Sequence, residues 1–171
     1  NVVASKLKQI QKSKVMHSFD NSKNLVSGGT DIYVQKGDVI TNAEICLLSE
    51  IISDEKIKVV DDECVISASS TVADMETSSI INNIFPDFKK IAEQFGSVQI
   101  RNKATAGGNI NNASPIGDMT IFFLALNAKV YLLGKGVSRE VLLKEYFKGY
   151  KMLNKNADEV VRDVLNNFSN A

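Results

Sequence analysis

The apolar and polar positions of this chain change period several times, which predicts short strands and helices in alternation. Val3, Leu7 and Ile10 have helical spacing and indicate an amphipathic helix over residues 3–14. Short apolar runs typical of strands lie at residues 25–26, 45–48, 57–60, 64–68, 129–133 and 137–142. Polar turns at 61–63 and 134–136 separate two pairs of these runs, so each pair predicts an antiparallel hairpin.

Helix signals lie between these runs. Thr71 and Asp74 have the spacing of a capping box and predict a helix start. Pro86 suits the first turn of another helix, and Gly96 suits its end. Further helices are expected from residue 31 and over 119–126, whereas residues 158–168 have a helical apolar period and stay ambiguous. The mixture predicts an α+β fold with helices and antiparallel hairpins interleaved.

Composition narrows the class of protein. A chain of 171 residues fits one domain or two small lobes. The 20 basic and 20 acidic residues cancel, which disfavours a nucleic-acid binder. Residues 41–80 hold nine acids and two lysines, which predicts a solvated acidic face. No apolar run reaches the roughly 18 residues that a membrane-spanning helix needs, so no membrane span is predicted.

The residues that usually carry catalysis or bind metals are scarce. Cys46 and Cys64 lie in apolar runs and predict buried, reduced thiols in a cytoplasmic protein. His17, the single histidine, is interpreted as a surface residue. This set holds neither a structural zinc ion nor an iron–sulfur cluster, and it contains no Ser/His/Asp arrangement. We therefore predict no catalytic side chain and no metal site in this chain.

Two glycine pairs are the strongest functional signal. Gly28-Gly29 lies within residues 26–31, and Gly107-Gly108 lies within 105–109. Paired glycines let the backbone approach a ligand and turn its N–H groups towards an anion. An ordinary turn is the alternative for either pair alone. Neither pair belongs to a P-loop or a GxGxxG motif, so a Rossmann dinucleotide site is not indicated.

The second glycine pair lies in a polar segment, residues 97–118, that we interpret as a functional loop. Its dense amide, hydroxyl and carboxylate groups, among them Asn109, Asn112 and Asp118, suit a polyhydroxyl ligand such as a ribityl or ribose chain. A loop that satisfies its own hydrogen bonds is the alternative. Arg101 is interpreted as a brace for this loop rather than as a phosphate ligand.

Residues 95–118, FGSVQIRNKATAGGNINNASPIGD, resemble the second signature of the FAD-binding domain of molybdenum hydroxylases. That family includes xanthine dehydrogenase and the medium subunit of aerobic carbon monoxide dehydrogenase. Residues 25–32, LVSGGTDI, resemble the family's first flavin loop, and the resemblance extends over about 24–162. One departure is Ser67, which stands where the family usually has glycine and is expected to narrow the flavin pocket.

The resemblance implies a two-lobed α+β FAD-binding fold of the vanillyl-alcohol oxidase type, without the family's additional C-terminal domain. The FAD-binding domain would span 1–171, with a small lobe over about 1–52 and a larger lobe over about 53–171. FAD would be held non-covalently. The implied cofactor-binding residues are Leu25, Val26, Ser27, Gly28, Gly29, Thr30, Asp31, Ile32, Ser67, Thr105, Ala106, Gly107, Gly108, Asn109, Asn112, Asp118 and Val161.

By the same resemblance, the chain is expected to be the electron-transfer subunit of a multi-subunit enzyme. Electrons would pass from [2Fe–2S] clusters on a small partner subunit through FAD to NAD+ or another acceptor. Molybdopterin would lie on a large partner subunit. The alternative is a non-catalytic flavin-domain module that docks to partner subunits. A reductase of UDP-N-acetylenolpyruvoylglucosamine shares the general flavin fold, but the second signature fits it less well.

Overall fold

The computed structural model of the chain describes residues 23–52 and 55–167. The helix predicted over 3–14 and His17 lie outside these residues. The helices are α1 Ile32–Thr41, α2 Leu48–Ile51, α3 Val72–Thr77, α4 Ser79–Ile84, α5 Phe88–Glu93, α6 Val98–Arg101, α7 Ala106–Asn112, α8 Asp118–Ala125 and α9 Leu143–Tyr146. The strands are β1 Asn24–Val26, β2 Ile45–Leu47, β3 Ile57–Val60, β4 Glu63–Ser67, β5 Lys129–Leu133, β6 Ser138–Leu142, β7 Phe147–Gly149, β8 Met152–Leu153 and β9 Val160–Asn167.

The main sheet has five antiparallel strands in the order β3-β4-β9-β5-β6. Both predicted hairpins are confirmed, because Ile57 pairs with Ile66 and Lys129 pairs with Leu142. The last of the described strands, β9, lies in the centre and joins the two hairpins. Its Asp163 faces Ser67 on β4 and Tyr131 on β5.

Strand β9 resolves the ambiguous segment at 158–168, whose helical apolar period is misleading. Val160, Val161, Val164 and Leu165 are all buried, so both faces of the strand are covered. The register with β5 shifts by one residue at Arg162, where a bulge breaks the strict alternation of faces. Two-sided burial and the bulge together produce apolar pairs four residues apart, which is the spacing of an amphipathic helix.

A second, smaller sheet lies at the start of the described chain. Strands β1 and β2 pair in parallel, with Asn24 opposite Ile45, and helix α1 connects them. A parallel pair requires such a crossover. The strands at 25–26 and 45–48 and the helix from residue 31 are confirmed, whereas their parallel pairing was not predicted. A division into lobes near residue 52 stays a prediction.

Residues 97–118 do not form the continuous loop that we predicted, because they contain α6 and α7 and the start of α8. Thr105 caps α7 by accepting the Gly108 N–H at 3.1 Å, and Ala113 ends the helix with φ 49°. The predicted capping box of α3 is confirmed. The Thr71 N–H donates to Asp74 at 2.8 Å, and the Asp74 N–H donates to the Thr71 hydroxyl at 3.0 Å.

The hydrophobic core includes apolar side chains from the five-stranded sheet and from α3 to α5 and α7 to α9. Phe88, Phe123 and Tyr146 are fully buried there. Cys46 and Cys64 are free and buried, which confirms their predicted place in the core. This hydrophobic core fixes the positions of three loops beside the sheet, at residues 27–31, 67–71 and 102–108.

Candidate functional site

Two of the three loops run side by side. They are the serine loop, residues 67–71, and the second glycine loop, residues 102–108. Thr71 and Thr105 form an antiparallel bridge. The Ala106 N–H donates to Ser70 O at 2.9 Å, and the Val72 N–H donates to Ala104 O at 2.9 Å. These backbone bonds join the end of β4 to the start of α7.

Gly107 is needed for this close approach. Its N–H donates to Ala68 O at 2.9 Å. A Cβ atom at position 107 would lie 2.6 Å from Ala68 Cβ and 2.9 Å from Ala68 O, both of which are too close. Gly107 therefore serves the packing of α7 on the serine loop.

The first glycine loop, residues 27–31, contacts the second glycine loop directly. The hydroxyl oxygens of Ser27 and Thr105 are 2.6 Å apart and share a hydrogen bond. A Cβ atom at Gly28 would overlap the carbonyl oxygen of Lys103, so only glycine fits there. Gly29 has φ +77°, the left-handed conformation that turns the chain towards α1.

The first glycine loop also carries unpaired backbone donors. No hydrogen bond from the Gly28 or Gly29 N–H to any described residue is present. Backbone N–H groups that lack an internal acceptor are ready partners for an anion or for water. The contact between the two glycine loops therefore places free donors beside the Ser27 and Thr105 hydroxyls.

A cavity of about 170 Å³, the interloop cavity, opens where the three loops meet. Among the described residues, its lining contains two lysines, several hydroxyl groups and no carboxylate. The lining residues are Ser27, Gly28, Ser49, Lys56, Ser69, Thr71, Asn102, Lys103 and Thr105. Its chemistry favours a negatively charged, oxygen-rich group such as a phosphate.

Ser67 does not line this cavity. It is 1% exposed, and its hydroxyl lies behind Ser69, with the two hydroxyl oxygens 2.9 Å apart. We expected this side chain to narrow the flavin pocket. The side chain is buried within the serine loop, and its effect on the flavin pocket stays a prediction.

The asparagines near the end of α7 are partly engaged within the protein. Asn109 Oδ1 accepts from the Thr120 N–H and hydroxyl, both at 2.9 Å, which ties α7 to α8. Asn112 Oδ1 accepts from Lys151 Nζ at 2.8 Å. Asp118 is exposed in the first turn of α8. The side-chain amide nitrogens of Asn109 and Asn112 donate to no described residue, so they are available to a ligand.

Arg101 has the bracing role that we predicted. Its Nε lies 3.0 Å from Glu76 Oε2 on α3, and its guanidinium also donates to Gly96 O at 3.0 Å. The pair is largely buried, with side-chain exposures of 12% and 16%. Arg101 therefore holds α6 against α3 and is not directed at a ligand.

The predicted site residues thus fall into separate groups. Ser27, Gly28 and Thr105 meet at the interloop cavity. Three residues lie elsewhere: Val161 is buried on β9, Asn112 ends α7, and Asp118 opens α8.

The remaining predicted residues flank these groups. Val26 and Ala106 are buried and shape the ends of the loops. Leu25, Thr30 and Ile32 are half-buried, and Asp31 is exposed and accepts a hydrogen bond from Gln35 at 2.7 Å.

Sequence reasoning missed six residues of the cavity: Ser49, Lys56, Ser69, Thr71, Asn102 and Lys103. Lys56 reaches the site only because the β3–β4 hairpin brings it to Ser69, thirteen positions away. No local pattern in the sequence signals that contact.

The described residues contain neither a membrane-spanning helix nor a metal-binding cluster. None of their helices is both long and apolar enough to cross a membrane. Within the same part of the chain, no three His, Cys, Asp or Glu side chains cluster in a way that suits a metal ion.

The contact of the two glycine loops beside a cavity lined by Lys56 and Lys103 suits a phosphate-bearing cofactor. Residues 2–165 match the model of the FAD binding domain in molybdopterin dehydrogenase, and the chain belongs to that family. The resemblance inferred from the two loop signatures is thereby confirmed. FAD is the cofactor of this family.

Relatives agree with this assignment. The chain is 29% identical to the nicotinate dehydrogenase FAD-subunit of Eubacterium barkeri, over 92% of this chain and 55% of that subunit. It is 28% identical to the glyceraldehyde dehydrogenase medium chain of Sulfolobus acidocaldarius, over 88% of this chain and 54% of the relative. The chain thus spans about half the length of these relatives.

Solved structures share the fold. Quinoline 2-oxidoreductase from Pseudomonas putida 86 superposes with a TM-score of 0.77 at 18% identity, over 88% of this chain and 53% of that one. Carbon monoxide dehydrogenase from Hydrogenophaga pseudoflava gives 0.76 at 22% identity, over 97% and 55%. The predicted mixture of helices and antiparallel hairpins is confirmed. Assignment to the vanillyl-alcohol oxidase type and the lack of a C-terminal domain stay predictions.

Proposed function

We propose that this chain is the FAD-binding electron-transfer subunit of a molybdenum hydroxylase-type dehydrogenase. When bound, FAD would take up electrons from [2Fe–2S] clusters on a small partner subunit and pass them to NAD+ or another acceptor. A large partner subunit would carry molybdopterin and act on the substrate. Membership of the FAD-binding family supports this proposal. The observation that carries it is the contact of the two glycine loops at a cationic cavity.

The residues of the cavity fit the phosphate part of FAD. No described residue accepts from the Gly28 or Gly29 N–H group, and the Ser27 and Thr105 hydroxyls stand beside these groups. Thr105 Oγ1 already accepts the Gly108 N–H, so it is free to donate its proton to Ser27. Ser27 would then donate to a phosphate oxygen. These residues bind and orient the cofactor and move no proton in the reaction.

We assign the remaining predicted residues to the rest of the cofactor. Asn109 and Asn112 would donate their side-chain N–H groups to the polyhydroxyl chain, and Asp118 would accept from its hydroxyls. Val161 would lie on the apolar side of the flavin. The Ser67 hydroxyl points behind Ser69, so it gives no support to the alternative of a degenerate flavin site.

The first experiment is a titration of the purified chain with FAD, followed by flavin fluorescence and by the visible spectrum. We expect saturable binding with a Kd in the micromolar range or below. Cooperative unfolding in urea serves as the control for a folded chain. A folded chain that takes up no FAD would contradict the proposal.

A separate measurement tests the electron acceptor. NADH is added to the FAD-loaded chain under anaerobic conditions, and the flavin absorbance is recorded. Loss of absorbance supports NAD+ as the acceptor, because electron transfer between NADH and FAD is reversible. An unchanged spectrum would favour a different acceptor and leave FAD binding unaffected.

A further inference from the structure

We infer that Lys56 is a phosphate-binding residue of the FAD site and that Ser67 and Ser69 position it. The inference rests on the proposed function, since it concerns the same cofactor. It also assigns a role to Ser67, a residue whose side chain is turned away from the cavity. The structural basis is a chain of hydrogen bonds that runs from the interior of the serine loop to the Lys56 ammonium group.

The Lys56 ammonium group is fixed but not neutralised. Its Nζ donates to the Ser69 hydroxyl at 2.8 Å and to the Ser69 carbonyl at 3.1 Å. Both acceptors are uncharged. An ammonium group has three donors, so one N–H remains for a further partner. Among the described residues, no carboxylate forms an ion pair with Lys56.

The main chain of Lys56 is held by the same loop. Its carbonyl oxygen accepts from the Ser67 N–H at 2.8 Å and from the Ser70 hydroxyl at 2.6 Å. Both ends of this lysine are therefore anchored, although the residue as a whole is exposed. Ordering a free lysine side chain on binding costs conformational entropy. An anchored lysine has already lost much of that freedom and binds a ligand more tightly.

Two buried serines set the position of the anchor. Ser67 and Ser69 are 1% and 4% exposed, and their hydroxyl oxygens are 2.9 Å apart. The Ser69 N–H also donates to Ser67 Oγ at 3.3 Å. With glycine or alanine at position 67, the Ser69 hydroxyl would lose this partner. Ser67 thus acts on the ligand through Ser69 and Lys56.

The charge around the cavity identifies the ligand. Lys56 is one of only two lysines among residues 41–80, where nine acids lie. It faces a cavity whose other cationic lining residue is Lys103, and no described acidic residue lines that cavity. A phosphate group accepts the spare ammonium N–H and gains from both charges. The pyrophosphate of FAD meets this requirement, whereas riboflavin has no phosphate, so the site should discriminate between the two flavins.

The test uses the whole chain, with FAD and riboflavin titrated separately at low and high salt. We expect Lys56→Met to raise the Kd for FAD by about tenfold at low salt, as is typical for the loss of a charge-assisted hydrogen bond. The effect should shrink at high salt, because exposed charges are screened. Riboflavin binding should be unchanged. Lys56→Arg should restore part of the FAD affinity, and Lys135→Met, which removes an equal charge outside the cavity, should have no effect.

The positioning role of Ser67 is tested by comparing FAD affinity in single and double variants. Ser67→Ala should weaken FAD binding in the wild-type background and should have no further effect when Lys56→Met is present. If the two substitutions caused independent structural defects, their losses of FAD affinity would instead add. Thermal unfolding of each variant confirms that it folds.

The outcomes separate the two proposals. Lys56→Met with an unchanged Kd for FAD would overturn the role of Lys56 and leave the FAD site intact. Equal weakening of FAD and riboflavin would also overturn it, because the lysine would then only support the loop. An unaltered, folded chain that binds no flavin would overturn the proposed function together with this inference.

Discussion

Replacing Glu159 by glutamine should destabilise the fold at neutral pH and have much less effect in acid. The Glu159 carboxylate is buried, with 5% of its side chain exposed. It accepts from Arg139 Nε at 2.7 Å, from the Arg139 terminal nitrogen at 2.9 Å and from the Asn156 N–H at 2.6 Å. Arg139 also donates to Asn154 O at 2.9 Å, so the pair holds the segment that leads into β9.

The size of the expected destabilisation follows from the lowered pKa of the Glu159 carboxyl group. The hydrogen bond from Arg139 is the largest cause that lowers the pKa of Glu159, from 4.5 to about 2, with the Asn156 N–H adding to it and burial opposing it. That difference corresponds to about 3 kcal/mol. The Arg139 side chain is 36% exposed, and solvent screening reduces the contribution, so we expect about 1–3 kcal/mol.

The sign of the pH dependence is fixed by the lowered pKa. The stabilisation is fully present above the unfolded-state pKa of about 4.5 and is lost as the pH falls towards 2. Urea unfolding of the wild type and of Glu159→Gln at pH 7, 5 and 3 measures it. Glu140→Gln is the control, because Glu140 pairs with Lys129 at the surface and should change stability by less than about 0.5 kcal/mol. The same destabilisation at pH 7 and pH 3 would refute the reasoning.

Three further predictions concern the site and the core. Gly108→Val should abolish FAD binding, because its Cβ would lie 2.8 Å from Thr105 Oγ1 and displace the hydroxyl that contacts Ser27; flavin content measures the loss, and circular dichroism checks that the variant folds. Asp118→Ala should weaken FAD binding by about 1–3 kcal/mol in a fluorescence titration, through the loss of a charged acceptor. Burial raises the pKa of the Cys64 thiol to about 11, so a thiol reagent at pH 8 should modify Cys64 only after unfolding in urea.

Each of these predictions has a contrary outcome. Normal flavin content in Gly108→Val would show that the backbone at 108 does not approach the cofactor. An unchanged Kd for Asp118→Ala would remove this carboxylate from the site. Rapid labelling of Cys64 in the native protein, identified by mass spectrometry of its peptide, would show that the interior of β4 opens readily.

Much of the fold could be predicted because local signals coincide with the tertiary structure. The capping box at Thr71 and the hairpins beside 61–63 and 134–136 depend on neighbouring residues, and the structure has all three. Strand β9 could not be predicted, since its bulge at Arg162 and its burial on both faces imitate a helical period. Helix α7 was missed because two glycines disfavour a helix, and packing on Ala68 overrides that preference.

The candidate site also contains residues that the sequence predicts and residues that it does not. The glycine pairs were found from the sequence, because unusual backbone conformation and close approach demand glycine itself. Lys56 was not found, since its role depends on a hydrogen bond to Ser69 across the turn of a hairpin. Ser67 was noticed as a departure, but only the structure shows that its hydroxyl points towards Ser69.

The central place of β9 also affects how the protein acquires its fold during synthesis. The ribosome makes β3 to β6 first, and both inner edges of these hairpins await a strand that lies about 30 to 100 positions further along the chain. Until residues 160–167 emerge, β4 and β5 present unpaired edges, which are the usual sites of mispairing between nascent chains. Closure of the sheet is therefore a late event that depends on contacts of long sequence separation, and such folds form slowly. For this protein, chaperone protection would matter most in the interval between the synthesis of β4 and the synthesis of β9.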